Sequence, residues 1–201
     1  MKTNPGPTVR DISVTLRAGA SGYPGDPPFE LDPFGTLDGG PCALTRVTMS
    51  AHAGSHLDFP AHVISGGKSA ADYPPARFLL PARLVEVPDG GAVPHEAVLR
   101  AGISPGEAVL FQTGGRGFLT PEAARACVGA EASLAGIDSL SVDRPEDGEL
   151  PVHRILLGND VLVLEGLDLS GVPAGRYTLS CLPLRIAGCE ASPVRAVLLE
   201  D

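Results

Sequence analysis

Three of the five histidines in this chain of 201 residues lie close together, in the segment His52-Ala-Gly-Ser-His56-Leu-Asp58-Phe-Pro-Ala-His62. Imidazole and carboxylate groups are the side chains that zinc, manganese and related divalent ions prefer in proteins. Four such side chains in one short segment, in a chain otherwise poor in histidine, therefore predict a metal site. The alternative interpretation is a solvated cluster of side chains with no function.

The spacing of these residues also indicates the backbone conformation that carries them. On a helix Asp58 would point about 200° away from His56, and Pro60 is incompatible with a helix interior. In an extended chain all four ligand-type residues have the same parity, so their side chains can reach one side. Gly54 permits a kink or a close approach of the backbone. We therefore predict a strand that leads into a loop.

The rest of the sequence predicts short strands and helices that would position this segment. Alternating or buried apolar runs predict strands over residues 11–16, 43–49, 83–87, 109–113, 133–138, 161–164, 177–184 and 194–199. Helices are predicted from Pro94 to Ala101, from a Thr120 cap to about Gly129, and over a short stretch at 153–157. This pattern predicts an α/β or α+β domain with a mixed sheet, and it leaves the strand order open. We expect one domain over residues 1–201.

Composition excludes several classes of protein. The net charge is −9 and no basic cluster is present, which argues against a nucleic-acid partner. We expect neither a membrane span nor a signal peptide, and the cytoplasm is the expected compartment. The four cysteines are scattered without metal-knuckle spacing, so we expect reduced core residues. His95 lies in a polar helical context and is predicted to be a surface residue.

The segment from His52 to His62 closely resembles the HxGTHxDxPxH signature of the cyclase-like metal-dependent hydrolases. That family contains the bacterial kynurenine formamidases and the isatin hydrolases. Ser55 stands where the signature has Thr, and it keeps the hydroxyl group. Further similarity extends over most of the chain, in the stretches 23–29, 136–143, 163–175 and 191–198. The resemblance implies an α/β fold of the swivelling β/β/α type, with a barrel-like mixed β core and peripheral helices.

The resemblance also implies a role for each site residue. In the formamidases the first two histidines of the signature, here His52 and His56, bind one metal, and the signature aspartate, here Asp58, bridges two. A later histidine and a glutamate twelve residues beyond it complete the second site, and His153 and Glu165 stand at that spacing. Zinc is the expected metal, with one or two ions bound, and manganese is the alternative.

The last histidine of the signature is the implied proton carrier. His62 would move a proton between the attacking water and the leaving nitrogen, because imidazole titrates near neutral pH. The alternative is that His62 is a further metal ligand or supports one. An aromatic substrate needs a stacking surface, and the chain has no tryptophan. The candidate substrate-binding residues are Tyr23, Phe29, Phe59 and Phe118.

Three functions agree with these features. The first is hydrolysis of an aryl formamide, as in the conversion of N-formylkynurenine to kynurenine and formate during tryptophan breakdown. The second is hydrolysis of a cyclic amide such as isatin, or a step in a natural-product pathway. The third is metal binding without catalysis, which the retention of all the ligand positions disfavours. The stretch between Thr113 and Ala135, which faces the substrate in the formamidases, is shorter here, so the resemblance does not determine the identity of the substrate. The family implies a homodimer or a larger homo-oligomer.

Overall fold

The computed structural model describes residues 8–19 and 22–200. The strands within these ranges are β1 (Thr8–Asp11), β2 (Glu30–Gly35), β3 (Leu44–Thr48), β4 (His56–Asp58), β5 (Leu79–Glu86), β6 (Ala92–Val93), β7 (Ala108–Gln112), β8 (Phe118–Leu119), β9 (Leu134–Ile137), β10 (Leu162–Glu165), β11 (Gly175–Ser180), β12 (Ala191–Pro193) and β13 (Val197–Glu200). The α-helices are α1 (His95–Ala101), α2 (Pro121–Gly129) and α3 (Pro151–Gly158). None of the described helices is long and apolar enough to span a membrane.

Nine strands form one curled, half-barrel sheet in the order β1-β13-β11-β5-β7-β9-β10-β4-β12. The four central strands, β5, β7, β9 and β10, run parallel to one another. Antiparallel strands extend the sheet at both ends, with β11 beside β5 and β4 beside β10. The predicted α/β fold with a barrel-like mixed core and peripheral helices is thus confirmed.

Successive side chains along a strand point to opposite faces, and in β7, β9 and β10 both faces are buried, whereas β5 alternates between buried and more exposed residues. In β7, Leu110 packs into the core on the curled inner face, and Val109 and Phe111 pack into the core beneath the three helices. In β10, Leu164 belongs to the inner core and Val163 to the outer one. Continuous apolar runs therefore form the centre of the sheet, and this rigid layer carries the site at the end of β10.

Several sequence predictions are confirmed by these elements. Thr120 caps α2, where its side chain accepts a hydrogen bond of 3.1 Å from the Ala123 amide. The predicted helices at Pro94 to Ala101 and at 153–157 appear as α1 and α3. His95 is exposed, and its ring lies 3.4 Å from Glu96, as expected of a surface residue. Local signals of capping and apolar spacing were sufficient for all three helices.

Other predictions need correction. The predicted strand at 11–16 is wrong in its position: β1 ends at Asp11, and Ser13 makes only an isolated bridge with Leu167. The predicted strand at 177–184 begins and ends earlier, as β11. Of the cysteines, Cys127 and Cys181 are core residues as predicted, but Cys42 is exposed and Cys189 half-buried. The boundaries of the two corrected strands depend on which neighbouring strand each segment pairs with.

The hairpin of β2 and β3 lies outside the main sheet. Its strands pair only with each other, from Glu30 opposite Thr48 to Gly35 opposite Leu44. Its residues are exposed on both faces, apart from partial burial at Gly35. Its exposed apolar side chains, at least half accessible, are Leu31, Phe34, Leu37, Leu44 and Val47. A two-stranded sheet of this kind is only marginally stable by itself.

Candidate metal centre

Two neighbouring strands bring the predicted ligands together. His56 and Asp58 are the first and last residues of β4, so their side chains share one face of the strand. Strand β4 runs antiparallel to β10, with His56 directly opposite Glu165. Residues directly opposite on paired strands have neighbouring side chains. The pairing therefore places Glu165, which is distant in sequence, beside two residues of the histidine segment.

The other three histidines of the cluster, His52, His62 and His153, approach His56 and Asp58 from three different kinds of backbone. His52 lies in the turn that precedes β4, where Gly54 takes a positive φ of 67°. His62 ends a short 3-10 helix, Pro60–His62, that follows β4. His153 lies in the first turn of α3. The prediction of an extended chain from His52 to His62 is thus wrong outside β4, whereas the kink at Gly54 and the step from strand to loop are confirmed.

The ligand atoms form two groups of three that share Asp58. His52, His56 and Asp58 make one group, and Asp58, His153 and Glu165 make the other, with the ligand atoms of each group within 4.8 Å of one another. In the first, Asp58 Oδ1 lies 2.9 Å from His52 Nδ1 and 3.5 Å from His56 Nε2. In the second, His153 Nε2 lies 3.3 Å from Asp58 Oδ2 and 3.2 Å from Glu165 Oε1. Each Asp58 oxygen thus faces a different group.

Unpaired polar atoms indicate that the first group fits a cation. Among the described residues, the buried polar atoms without a partner in hydrogen-bonding geometry include His56 Nε2 and Asp58 Oδ1, although His52 Nδ1 lies 2.9 Å from Asp58 Oδ1. Burying a polar atom without a partner costs about 1–3 kcal/mol, so such atoms are rare in folded proteins. Nitrogen and carboxylate ligands at this spacing are suited to zinc or manganese. A bound divalent ion would give both atoms the partner that they lack.

The charges in the cluster shift the acidities of its members. Burial disfavours the protonated form of His56, but the Asp58 and Glu165 carboxylates outweigh burial and raise its pKa to about 9. Burial likewise opposes protonation of His153, whose pKa the neighbouring carboxylates raise well above its usual value. The histidines in turn hold the pKa of Asp58 well below its usual range, against the effect of burial. A cation that binds here replaces protons that balance the same carboxylates.

His62 has a different environment from the other clustered histidines. Its ring centroid lies 4.5 Å from that of His52 and 5.4 Å from that of His153. It belongs to neither group of ligand atoms. Burial lowers the pKa of His62, and the nearby His52 and His153 add to that effect although Asp58 opposes it. These effects favour the neutral form of His62, in which one ring nitrogen can accept a proton.

Two adjoining cavities open onto the cluster. The smaller, of about 220 Å³, is lined by His62, His153, Glu165, Tyr23 and Leu150 together with further cluster residues. The larger, of about 300 Å³, has a mainly apolar wall that includes Val14, Leu16, Tyr23, Phe29, Leu140 and Leu167. His52, His56, Tyr23, Asp26 and Leu140 line both cavities. A small apolar ligand in the larger cavity would thus lie beside the candidate ligands.

The four predicted substrate-binding aromatics differ in their positions. Tyr23 and Phe29 line the larger cavity. Phe59 is completely buried and packs against Tyr73 and Phe78 in the core, so its assignment to substrate binding is corrected. Phe59 directly follows β4 with an extended backbone (φ −115°, ψ 161°), so alternation turns its ring to the opposite face from His56 and Asp58. Phe118 lies outside the walls of both cavities, with the Arg144 guanidinium 5.4 Å from its ring centroid.

Two groups that hold the candidate ligand histidines were not predicted from the sequence. The Gly54 carbonyl oxygen lies 2.9 Å from His56 Nδ1, which leaves His56 Nε2 facing the cluster. The Asp143 carboxylate lies 2.6 Å from His153 Nδ1, which leaves His153 Nε2 facing Asp58 and Glu165. Asp143 belongs to a stretch in which the family resemblance was seen, but nothing in its spacing indicated contact with His153.

The chain is similar to known proteins over most of its length. Residues 10–144 match the Cyclase family model, which is described as "Putative cyclase". The chain is 35% identical to the kynurenine formamidase of Salinibacter ruber over 94% of this chain and 95% of that protein. Its fold is similar to a structure described as a predicted metal-dependent hydrolase from Bacillus stearothermophilus, with 27% identity, a TM-score of 0.84, and coverage of 98% of this chain and 100% of that one.

A more distant structure shares the fold alone. Isatin hydrolase A from Labrenzia aggregata superimposes with a TM-score of 0.87 at 21% identity, over 96% of this chain and 93% of that one. The resemblance predicted from the segment at 52–62 is therefore confirmed by a family match over more than half of the chain and by a relative that it matches almost end to end. The chain belongs to the cyclase family.

Proposed function

We propose that the protein is a metal-dependent hydrolase of aryl formamides, which converts N-formylkynurenine to kynurenine and formate in tryptophan breakdown. The observation that carries the proposal is the pair of ligand groups that share Asp58, beside a small apolar cavity. The similarity to kynurenine formamidases at 35% identity supports the choice of substrate. The proposal assigns residues 1–201 to a single hydrolase domain.

His52, His56 and Asp58 would hold one divalent ion, and Asp58, His153 and Glu165 a second. We propose zinc as the metal and manganese as the alternative, because nitrogen and oxygen ligands suit both. Bound ions would supply Lewis acidity toward a carbonyl oxygen and lower the pKa of a water. Three protein ligands for each ion leave open positions for water and substrate, as catalytic sites require.

His62 is the proposed general base and acid. Its lowered pKa keeps a ring nitrogen free at neutral pH, so this nitrogen can take a proton from the attacking water. The same nitrogen then donates that proton to the leaving aryl amine. His62 lines the smaller cavity beside His153 and Glu165, within reach of a group that enters from the larger cavity. The Leu150 side chain, from the loop before α3, forms part of the same wall.

The walls of the larger cavity support an aryl substrate. Tyr23 and Phe29 offer aromatic surfaces, and Leu16 and Leu140 add aliphatic contacts. A volume of about 300 Å³ is at the lower end of the range for small-molecule sites. One aromatic ring with a short side group therefore matches the space, and its amide would point toward His52 and His56.

The second candidate keeps the same site and changes the substrate to a cyclic amide. The structural similarity to isatin hydrolases supports it, because those proteins share the fold over almost the whole chain. A cyclic amide presents the same scissile bond to the same ligands.

Metal binding without catalysis is the third candidate, and the placement of His62 beside both ligand groups argues against it.

The deciding experiment is an assay of purified, zinc-loaded protein with N-formylkynurenine and, separately, with isatin. We expect faster turnover of N-formylkynurenine than of isatin. The formamide reaction is monitored by the increase in the absorbance of kynurenine. Preference for isatin would support the second candidate. Absence of turnover with both, in protein shown to contain metal, would support the third. The His62→Ala variant serves as the control for background hydrolysis by free metal.

We further propose that two copies of the chain associate through the β2–β3 hairpin. The hairpin exposes five large apolar side chains and buries no face against the described part of its own chain. An exposed apolar surface of this kind marks an interface. The hairpin is joined to Phe29 at one end and to Ser50 at the other, and both line the larger cavity. Docking of the hairpin onto a second copy would therefore fix the positions of Phe29 and Ser50 in the wall of the larger cavity.

Light scattering during size-exclusion chromatography tests the association. We expect the wild type to elute as a dimer or larger. Phe34→Asp, which puts a charge on an exposed hairpin position, should shift the protein toward the monomer. Leu99→Asp, at an exposed apolar position on α1, is the matched control and should leave the mass unchanged. A wild type that is monomeric at micromolar concentration would contradict the proposal.

A further inference from the structure

Asp143 is a buried carboxylate outside both groups of ligand atoms. It lies in the segment between β9 and α3, and its side chain is fully shielded from solvent. Burial of a carboxylate is costly unless several donors compensate for the lost water. Asp143 Oδ1 accepts a hydrogen bond of 2.8 Å from the Val152 amide. Its Oδ2 accepts one of 3.0 Å from the His153 amide and lies 2.6 Å from His153 Nδ1.

These contacts determine which nitrogen of His153 can carry a proton. A carboxylate only accepts hydrogen bonds, so the short contact to His153 Nδ1 needs the imidazole as the donor. A proton held on Nδ1 leaves the lone pair of Nε2 available in the neutral ring. That nitrogen lies 3.3 Å from Asp58 Oδ2 and 3.2 Å from Glu165 Oε1, where the second ligand group converges.

From this geometry we infer that Asp143 is a positioning residue: it holds His153 in the tautomer whose Nε2 faces the second metal, and it sets the affinity of that metal selectively. The inference rests on the proposed metal centre. The first group has no comparable buried partner: His56 Nδ1 contacts a neutral backbone carbonyl at Gly54, and the carboxylate behind His52, that of Glu190, lies 3.6 Å from Nε2 and is 42% exposed. A carboxylate behind a metal-binding histidine also raises the basicity of its ligand nitrogen. Loss of Asp143 should therefore affect one ion much more than the other.

Asp143 also supports the start of α3, which is a second and purely structural role. The first amides of a helix have no partner within the helix, and Asp143 satisfies those of Val152 and His153. Loss of this cap would lower the stability of the metal-free protein. Such a loss would not distinguish between the two ions. Selectivity between them is thus the measurement that separates positioning from capping.

The experiment is a calorimetric titration of the metal-free protein with zinc. We expect the wild type to bind two ions. Asp143→Asn and Asp143→Ala should keep one ion at unchanged affinity and weaken the other by about 10- to 100-fold, with the larger loss for alanine. Asp147→Asn removes a neighbouring carboxylate that pairs with Arg144 at 3.0 Å, so it is the matched control and should match the wild type.

The outcomes separate the inference from the proposed function. If the wild type binds no zinc, the metal centre and the inference fail together. If it binds two ions and the Asp143 variants keep both affinities, or lose both equally, the inference alone is overturned. Nitrogen-15 NMR of the zinc-loaded wild type gives a second measurement that needs no folded variant. The His153 ring should carry its proton on Nδ1, and zinc bound at Nδ1 would also overturn the inference.

Discussion

The backbones of Gly54 and Gly166 are in direct contact, and this contact brings the histidine segment against the end of β10. A Cβ atom added to Gly166 would lie 2.4 Å from the Gly54 carbonyl oxygen, and Gly166 has a φ of 66°. The Ser55 hydroxyl reinforces the junction, since it donates a hydrogen bond of 2.6 Å to the Gly166 carbonyl. Glu165 and His56, the residues next to this junction, approach to 3.4 Å.

Replacement of Gly166 by alanine should therefore damage both stability and metal binding. The new methyl group meets a backbone oxygen that cannot move aside, and the positive φ adds about 1 kcal/mol of strain. We expect a total loss of at least about 2 kcal/mol in the free energy of unfolding, measured by urea denaturation of metal-free protein. Gly171→Ala, at a positive φ with open space around it, is the control and should cost only the strain. Equal losses in the two variants would contradict the steric argument.

Removal of the metal should abolish activity. Ions held by the five candidate ligands would lower the pKa of a water and polarise the scissile carbonyl, which His62 alone cannot do, so the reaction depends on the bound ions. Purified protein should contain a divalent metal by elemental analysis. Dialysis against a chelator should remove turnover, and added zinc or manganese should restore it. Active protein with only traces of zinc, manganese, cobalt or iron would contradict this prediction.

Asp58→Asn should remove more metal than any single histidine substitution. Asp58 presents one oxygen to each ligand group, so its loss affects both ions at once. An amide would also leave two dications with less negative charge around them. We expect metal content per chain to fall further in Asp58→Asn than in His52→Ala or His153→Ala, each of which belongs to one group. Full metal content and turnover in Asp58→Asn would show that Asp58 does not bridge.

His62→Ala should separate proton transfer from metal binding. His62 lies beside both ligand groups but belongs to neither, so its loss should leave the metal content almost unchanged. Turnover should fall by roughly 10²- to 10⁴-fold. The checks are kcat and elemental analysis on the same preparation. If metal occupancy falls in step with activity and excess metal restores the rate, His62 is a ligand instead.

The contribution of Asp160 to the stability of the protein should be present at neutral pH and lost in acid. Burial raises the pKa of Asp160, but hydrogen bonds from Tyr73 and Lys68 outweigh burial and lower it. A folded-state pKa below the unfolded value of about 3.9 stabilises the protein above that pH, and the benefit is lost as pH falls through the folded value.

Asp160→Asn should consequently lower the free energy of unfolding at pH 7 by up to about 1 kcal/mol, since the carboxylate is half exposed. Asparagine tolerates the left-handed backbone at this position, where φ is 59°. The difference from the wild type should shrink below about pH 4. Asp32→Asn, which removes an exposed pair with Arg46 at 3.7 Å, is the control. A difference that stays constant from pH 7 to pH 3 would contradict the assignment.

Features set by local chemistry were predictable from the sequence alone. The parity of His56 and Asp58, the kink at Gly54, the Thr120 cap and the three helices depend on a few neighbouring residues, and the structure confirms them. The family was also evident, because the segment at 52–62 places several ligand types at a characteristic spacing.

The tertiary structure decided what depends on residues far apart in the chain. Sheet order placed Glu165 opposite His56, and the path before α3 placed Asp143 behind His153, neither of which any local spacing specifies. Phe59 resembled a binding residue by type and position, yet it follows β4 with an extended backbone, and its ring is turned into the core. Pairing register and the packing of distant segments govern such contacts, and a one-residue change in register reverses the face that every side chain occupies.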